Sequence, residues 1–461
     1  MLCTASVSVG CNQGVRMSCG GTINAKLPMN IKTIKKQCMQ TNLQIGRKNR
    51  LILKRAFVLF ALLSALPLKA EGFRDATIGA FDLGRSGGRI AQVDDSTAVQ
   101  NNPANLVDVT NAEVQFAPSV IYISVDYKAP NGESAATIHP LKVLPNFFAS
   151  MPLDEGRYVL GFGVTVPYGL ANQWKTSSSA YQPGGTLFNN AANFGKLTTI
   201  NFNPSIATKI GDHLQLGIGL DVMWSELEIR QFIAAPQVEA HASGDGMGYG
   251  GNLGLTWKIT DHQRLALTYR STMTVNYNGR MRIENTGGPG GDPSTSFGSQ
   301  IKYPNIIALG YGIDVTDKIR LESDVEWLSF SQFQNLGIRT GNIAALGGLN
   351  LSQNIPQKWH NTFTAGIGGD WKFTDNWVMR AGYQFFESPV PDSTFSPTIP
   401  DANQNVITVG IGWRGKHSSL ELAYGLDFYN DRNITNDQNP ALNGRYTFNV
   451  HLFSIAYRYS F

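Results

Sequence analysis

Residues 451–461 read H-L-F-S-I-A-Y-R-Y-S-F, and the chain ends on that last aromatic residue. Phe453, Ile455, Tyr457, Tyr459 and Phe461 fall on one parity, and Ser454, Ala456, Arg458 and Ser460 on the other. A β-strand points successive side chains to opposite faces, so this stretch has one apolar, aromatic face and one small or polar face. Two architectures use such a strand: the edge of a soluble β-sandwich, and the closing strand of a barrel whose outer face meets lipid. The length of the other strands separates them.

The same alternation runs through residues 264–284, where Leu265, Leu267, Tyr269, Met273, Val275 and Tyr277 oppose Arg264, Thr268, Arg270, Thr274 and Asn276. It returns where Ile319, Leu321, Val325 and Trp327 oppose Arg320, Glu322, Asp324 and Glu326. Strands of globular proteins average about 5–6 residues. A membrane-crossing strand takes about 9–11, apolar toward lipid and polar toward the lumen. The pattern yields fourteen strands, starting near residues 112, 142, 156, 196, 213, 246, 263, 299, 317, 357, 376, 404, 418 and 446. Six connections are tight, among them Asp154-Glu155-Gly156, Asp212-His213 and Asp261-His262, and the seven between them are longer and rich in Gly, Pro, Asn and Ser. Short periplasmic turns and long outer loops are how outer-membrane barrels are built, and an even count leaves both ends on the periplasmic side. The expected fold is therefore an all-β membrane protein, a 14-stranded antiparallel transmembrane β-barrel. Tyr457, Tyr459 and Phe461 then carry the barrel-closing terminal signal and face lipid, with Arg458 on the lumen side.

The N-terminus agrees with export. A basic tract (Arg47, Lys48, Arg50, Lys54, Arg55) precedes an apolar run at residues 56–68 and then Lys69-Ala70. Basic region, short apolar core and small residue at the cut describe a secretory signal peptide. Residues 1–70 are read as a leader, with Met39 as a candidate true start. All four cysteines lie in it, as do 11 of the 38 Lys+Arg and none of the 34 Asp+Glu. Residues 71–461 then carry 27 basic against 34 acidic groups, a balance of −7 where the whole chain reads +4. That charge gives no support for nucleic-acid binding, and a chain without cysteine has no thiol or disulfide chemistry.

Residues 71–111 precede the first strand, are not strand-like, and scatter Gly79, Gly84, Gly87 and Gly88 among polar residues. Eight strands fill their own interior, whereas sixteen to eighteen leave an aqueous channel. Fourteen should leave room for this segment, so it is expected to fold inward as a hatch, with residues 112–461 as the barrel. The alternative is a mobile periplasmic tail.

With these features in place, the chain resembles the FadL-type outer-membrane transporters of long-chain fatty acids and other hydrophobic compounds. Glu71-Gly72-Phe73 resembles the family's mature start, and Asn102-Pro103-Ala104 its N-P-A hatch motif. Residues 265–271 (L-A-L-T-Y-R-S) and 327–333 (W-L-S-F-S-Q-F) look like two of its strand signatures. Ser388-Pro389-Val390-Pro391 with Ile399-Pro400-Asp401 resembles one of its outer loops. The resemblance implies capture of a hydrophobic ligand by outer loops, binding in a pocket that the N-terminus occupies, and lateral release beside a kinked third strand. It places Phe73 in that pocket. Gly161, Gly163 and Pro167 suit the kink, because proline cannot donate to a ladder and glycine loosens it. Where family members use basic side chains for a carboxylate, Gly337 stands in place of a family lysine, which leaves Arg230 and Arg339 as candidate ligand-binding residues and the carboxylate preference open. The implied partners are long-chain fatty acids or other hydrophobic small molecules, outer-membrane lipid and the barrel assembly machinery, with the chain a monomer and no cofactor.

Three other readings compete with this one. An aromatic hydrocarbon importer would use the same fold. A general diffusion porin would suit the charged row Arg320, Glu322, Asp324 and Glu326, but has no use for a hatch. An enzyme finds little support: His213, His262 and His417 fall in tight turns and His139 and His241 in loop regions, no serine or acid stands beside His360 or His451 at a catalytic spacing, and no metal-ligand cluster or phosphate loop appears.

Overall fold

The computed structural model describes residues 72–75, 78–234, 237–288 and 290–461, so the leader expected at 1–70 lies outside the described residues. Fourteen antiparallel strands close into a barrel. They are β1 (Glu113–Phe116, Ser119–Lys128), β2 (Leu141–Leu144, Phe147–Leu153), β3 (Tyr158–Thr165, Gly169–Trp174), β4 (Phe194–Ile210) and β5 (Leu214–Ala234). Then follow β6 (Val238–Thr260), β7 (Gln263–Arg270, Met273–Glu284), β8 (Ser294–Tyr303, Ile306–Thr316), β9 (Ile319–Leu328) and β10 (Thr362–Lys372). β11 (Trp377–Phe386), β12 (Gln404–Arg414), β13 (Ser418–Tyr429) and β14 (Gly444–Ser460) complete the wall.

β14 closes the ring against β1, with Val114 opposite Tyr459 and Ile123 opposite Val450. The first and last strands therefore leave no open edge between them. The parity read from the sequence is the parity observed: Phe453, Ile455, Tyr457, Tyr459 and Phe461 are exposed on the outer face. Arg458 points inward, donating to Ser419 and meeting Glu113. One connection differs from expectation. β5 and β6 run on as a long hairpin, paired from Ala234 and Val238 down to Leu214 and Trp257, where a long loop and a strand start near residue 246 were expected.

Prolines break the wall in one region. β1 is interrupted around Pro118, β2 around Pro145 and β3 around Pro167. The inner half of β2 pairs with β3, Phe147 opposite Val164 through Leu153 opposite Tyr158. Among the described residues, Leu141–Leu144 pairs with β1 but forms no ladder with Gly169–Trp174, which pairs with β4.

Residues 78–109 lie within the lumen, almost all of them buried. Two short helices (Ala80–Gly84, Ala98–Asn101) and a 3-10 turn (Pro103–Asp108) are their only regular elements. Asn102 caps that turn. Its Oδ1 accepts from the Ala104 amide at 3.1 Å, while its Nδ2 donates to the Ile90 carbonyl (2.9 Å) and to Thr256 of β6 (2.8 Å). Asparagine suits this position because its side-chain oxygen replaces a missing backbone partner, and Pro103 at the first turn has no amide to leave unsatisfied. The turn lies flat on the wall: a Cβ at Gly217 or Gly254 would collide with Pro103 and Asn102. Gly87, at φ +85°, passes as close to Ile367 and Tyr383 on β10 and β11.

The strongest hold on this segment is the acidic row of β9. Glu322 pairs with Arg85 and accepts the amides of Ile90 (2.6 Å), Ala91 and Gln92 (3.1 Å). Asp324 accepts the Arg89 amide at 2.6 Å, and Glu326 pairs with the Arg89 guanidinium at 2.6 Å. Asp370 of β10 takes the other face of Arg85 at 2.7 Å. These are the charges that suited a porin lumen; here they are spent on the segment inside it.

Removing one partner of a buried ion pair leaves the other uncompensated, at a cost of about 3–5 kcal/mol. Glu322→Ala should therefore loosen residues 85–92 while the barrel stays folded. Trypsin should then cut at Arg85 or Arg89, while the barrel keeps its heat-modifiable migration on SDS gels. Resistance equal to wild type would contradict this hold.

Candidate ligand-binding site

Phe73 is 2% exposed and stands in a box of aromatic rings. Ring centroids lie at 5.1 Å (Trp359), 5.6 Å (Tyr303), 5.7 Å (Phe333), 5.8 Å (Phe330) and 6.1 Å (Tyr168). Four of the five meet it edge to face, the arrangement that places positive ring edges against negative ring faces. Tyr168 comes from the interruption of β3, Tyr303 from β8, and Phe330, Phe333 and Trp359 from the loop after β9.

That loop explains why the rings converge. β9 ends at Leu328, and a 3-10 turn over Phe330–Gln332 follows. In a 3-10 turn residues three apart eclipse one another, so Phe330 and Phe333 both turn inward, where a continued strand would have set them on opposite faces.

The backbone of residues 72–75 is what carries Phe73 into the box. It follows the break in β3, with the Gly169 amide donating to the Phe73 carbonyl (2.9 Å) and the Asp75 amide to the Pro167 carbonyl (3.0 Å). Arg74 pairs with Glu326 at 2.6 Å, the same carboxylate that holds Arg89. The Gly72 amide donates to Asp401 Oδ2 at 3.0 Å. Burial pushes the Asp401 carboxyl up to about 6 against the opposing pull of the Ser388 hydroxyl and the Gly72 amide, which favour the ionised form.

The hydroxyls that reach the box are uncharged. Ser225 Oγ, Tyr277 OH and Tyr303 OH share hydrogen bonds of 2.8–3.1 Å. Trp359 Nε1 is buried with no hydrogen-bond partner among the described residues.

Beside residues 72–75 lies a cavity of about 520 Å³ lined by Ile121, Leu144, Leu170, Leu197, Val406 and Leu452. Its size suits a small hydrophobic ligand, for which pockets run from about 300 to 1,000 Å³. It reaches Leu141 and Val143, which are 63% and 65% exposed on the wall where β2 and β3 do not pair.

The structure brings only some of the residues singled out from sequence to this place. Phe73 is in the box, and Pro167 lies in the break beside it. Asn102, Pro103 and Ala104 sit on the lumenal turn. Gly161 and Gly163 lie inside the regular ladder of β3, not at its interruption; a Cβ at Gly161 would stand 2.6 Å from Val99 and one at Gly163 3.1 Å. Arg230 pairs with Glu228 at 2.7 Å and lies 5.1 Å over the Phe194 ring. Arg339 is exposed on Asn335–Thr340 in the long loop after β9. Neither arginine lines the cavity. Sequence reasoning missed Tyr168, Tyr303 and Trp359 as box members. Residues 327–333 were visible only as a strand signature, although the loss of alternation at Ser329 marks the turn.

The family model described as outer membrane protein transport protein (OMPP1/FadL/TodX) matches residues 61–461. The long-chain fatty acid transport protein of Escherichia coli K12 is 24% identical over 440 residues, covering 85% of this chain and 94% of that one. Outer membrane protein P1 of Haemophilus influenzae is 22% identical, covering 87% and 97%. Among solved structures, a Pseudomonas aeruginosa FadL homologue superposes with a TM-score of 0.72 at 22% identity over 85% of this chain and all of that one. The Pseudomonas putida toluene transporter TodX gives 0.67 at 16% identity, covering 84% and 99%. With the barrel, the lumenal segment and a family match over most of its length, the chain belongs to the OMPP1/FadL/TodX family of outer-membrane transporters of hydrophobic compounds.

Proposed function

We propose that this chain takes up hydrophobic molecules, long-chain fatty acids first among them, passively across the outer membrane, with residues 71–111 as its hatch. The observation that carries the reading is the placement of Phe73: its ring fills an aromatic box beside a cavity that runs to an unpaired stretch of wall. A ligand gathered by the outer loops would displace Phe73, occupy the box, and pass along the cavity to leave sideways between β2 and β3. The interruption at Pro167 serves as the exit, and residues 73–75 cover it while Phe73 is seated. The curated relatives named as long-chain fatty acid transporters support that substrate. The neutral box supports a second reading, an aromatic hydrocarbon, and structural neighbours include one named a toluene transporter. In this scheme the chain acts as a monomer, is inserted by the barrel assembly machinery, and performs no chemistry on its cargo.

The energetics allow it. Each CH₂ moved from water into an apolar site is worth about 0.8 kcal/mol, so a sixteen-carbon chain gains roughly 10 kcal/mol at most. Seating Phe73 gains about 1.5–3 kcal/mol by the same measure. The ligand therefore wins the competition, and the seated ring returns when the ligand has gone.

Two outcomes are expected. Phe73→Ala removes the competitor, so the purified variant should hold several-fold more co-purified hydrophobic ligand, identified by mass spectrometry, than wild type. Finding only phospholipid and detergent in both proteins would count against the pocket. In planar bilayers the intact protein should show no large, steady ion-conducting openings. Such openings would remove the hatch from the account and restore the porin.

A further inference from the structure

The cavity has a cation that the uptake route does not use. Lys142 lines it from β2. The register sets Lys142 opposite Ile121, and Ile121 opposite Leu452, so the three form one lumenal row. Its neighbours Leu141 and Val143 face out. The Lys142 Nζ donates to the His139 carbonyl at 2.7 Å, and no carboxylate lies within ion-pair distance of it among the described residues. An ammonium has three donors, so two are left over. The ammonium lies at the exposed end of the cavity, where the carboxylate of an arriving cargo can take the two remaining donors without a buried charge having to be desolvated first.

The other charges of the cavity are placed differently. Arg74 is engaged by Glu326. Asp75 lies with residues 72–75 along the break in β3. Asp427 stands on β13, in the row Asp427–Val450–Ile123. β14 and β1 separate it from β2, about 14 Å along the wall at about 4.8 Å per strand. Lys142 is thus the cavity's wall-side cation, next to the exposed Leu141 and Val143.

We propose that Lys142 is a specificity-determining residue: it anchors the carboxylate of an amphiphilic cargo at the wall-side end of the cavity, with the apolar tail along Ile121, Leu144, Leu170 and Leu452. The inference rests on the uptake reading and narrows it. The Phe73 box is neutral and accepts any apolar body, whereas the step beside the wall selects a hydrophobic acid over a hydrocarbon. Arg230 and Arg339 then have no part in holding the head group.

The test measures the affinity of the purified full chain for palmitate and for hexadecanol, which share a tail and differ in head group. Wild type, Lys142→Met and Lys142→Arg are compared at a mildly alkaline pH, where the acid and the lysine are both charged. A lost charge-assisted hydrogen bond should weaken palmitate binding to Lys142→Met by about 10-fold or more. Hexadecanol should be unaffected, and Lys142→Arg should keep most of the palmitate affinity. Unchanged palmitate binding in Lys142→Met, or equal losses for acid and alcohol, would overturn the anchor while leaving uptake in place. If wild type binds neither compound, the fatty-acid reading fails and the anchor with it.

Discussion

The structure depends on three carboxylates, Glu322, Asp324 and Glu326, that β9 turns into the lumen one above another. An unpaired charge inside a barrel is expensive, and a row of three like charges more so. The lumenal segment answers them with Arg85 and Arg89 and with the amides of residues 89–92. Because these groups are buried, each partner needs the other, and the segment is held by these charges together with the apolar packing of Phe81, Leu83, Val99 and Leu106. Short helices of four and five residues could not hold that path by their own propensity.

The same row connects this segment to the binding site. Glu326 takes Arg89 on one oxygen and Arg74 on the other, and Arg74 is the residue after Phe73. Displacing Phe73 therefore pulls on a carboxylate that also holds the segment. The prolines supply the complement. Pro167 removes a donor from β3, and the backbone of residues 73–75 supplies the bonds that the broken ladder lacks. Hydrogen bonds and ion pairs thus join residues 72–75, the lumenal segment and the wall.

Much of the fold was legible in the sequence because the information is local. Period-two alternation fixes which face meets lipid, as residues 453–461 show, and turn composition separates the two rims. The family was legible through short motifs. The site was less so, because its parts are far apart in the chain. Glu322 and Arg85 are 237 residues apart, and the acidic row without its partners looked like a porin lumen. The rings around Phe73 come from β3, β8 and one loop, and nothing local marks Tyr168 or Trp359 as their companions. Gly161 and Gly163 were visible as a loosened strand, yet what they accommodate is Val99 and Leu106 of the lumenal segment. Arg230 was a reasonable cation to choose, but Glu228, two residues away, already neutralises it. Lys142 gave no sequence signal, since its meaning depends on what does not pair beside it.

The central claim is that Phe73 and the cargo are alternative occupants of one aromatic box. An experimental structure of the full chain with a bound fatty acid or aromatic hydrocarbon tests this most directly. The account predicts ligand density among Tyr168, Tyr303, Phe330, Phe333 and Trp359, with Phe73 withdrawn and the bonds from Gly169 and Asp75 to the β3 break altered. Ligand bound elsewhere, with Phe73 still seated, would contradict it.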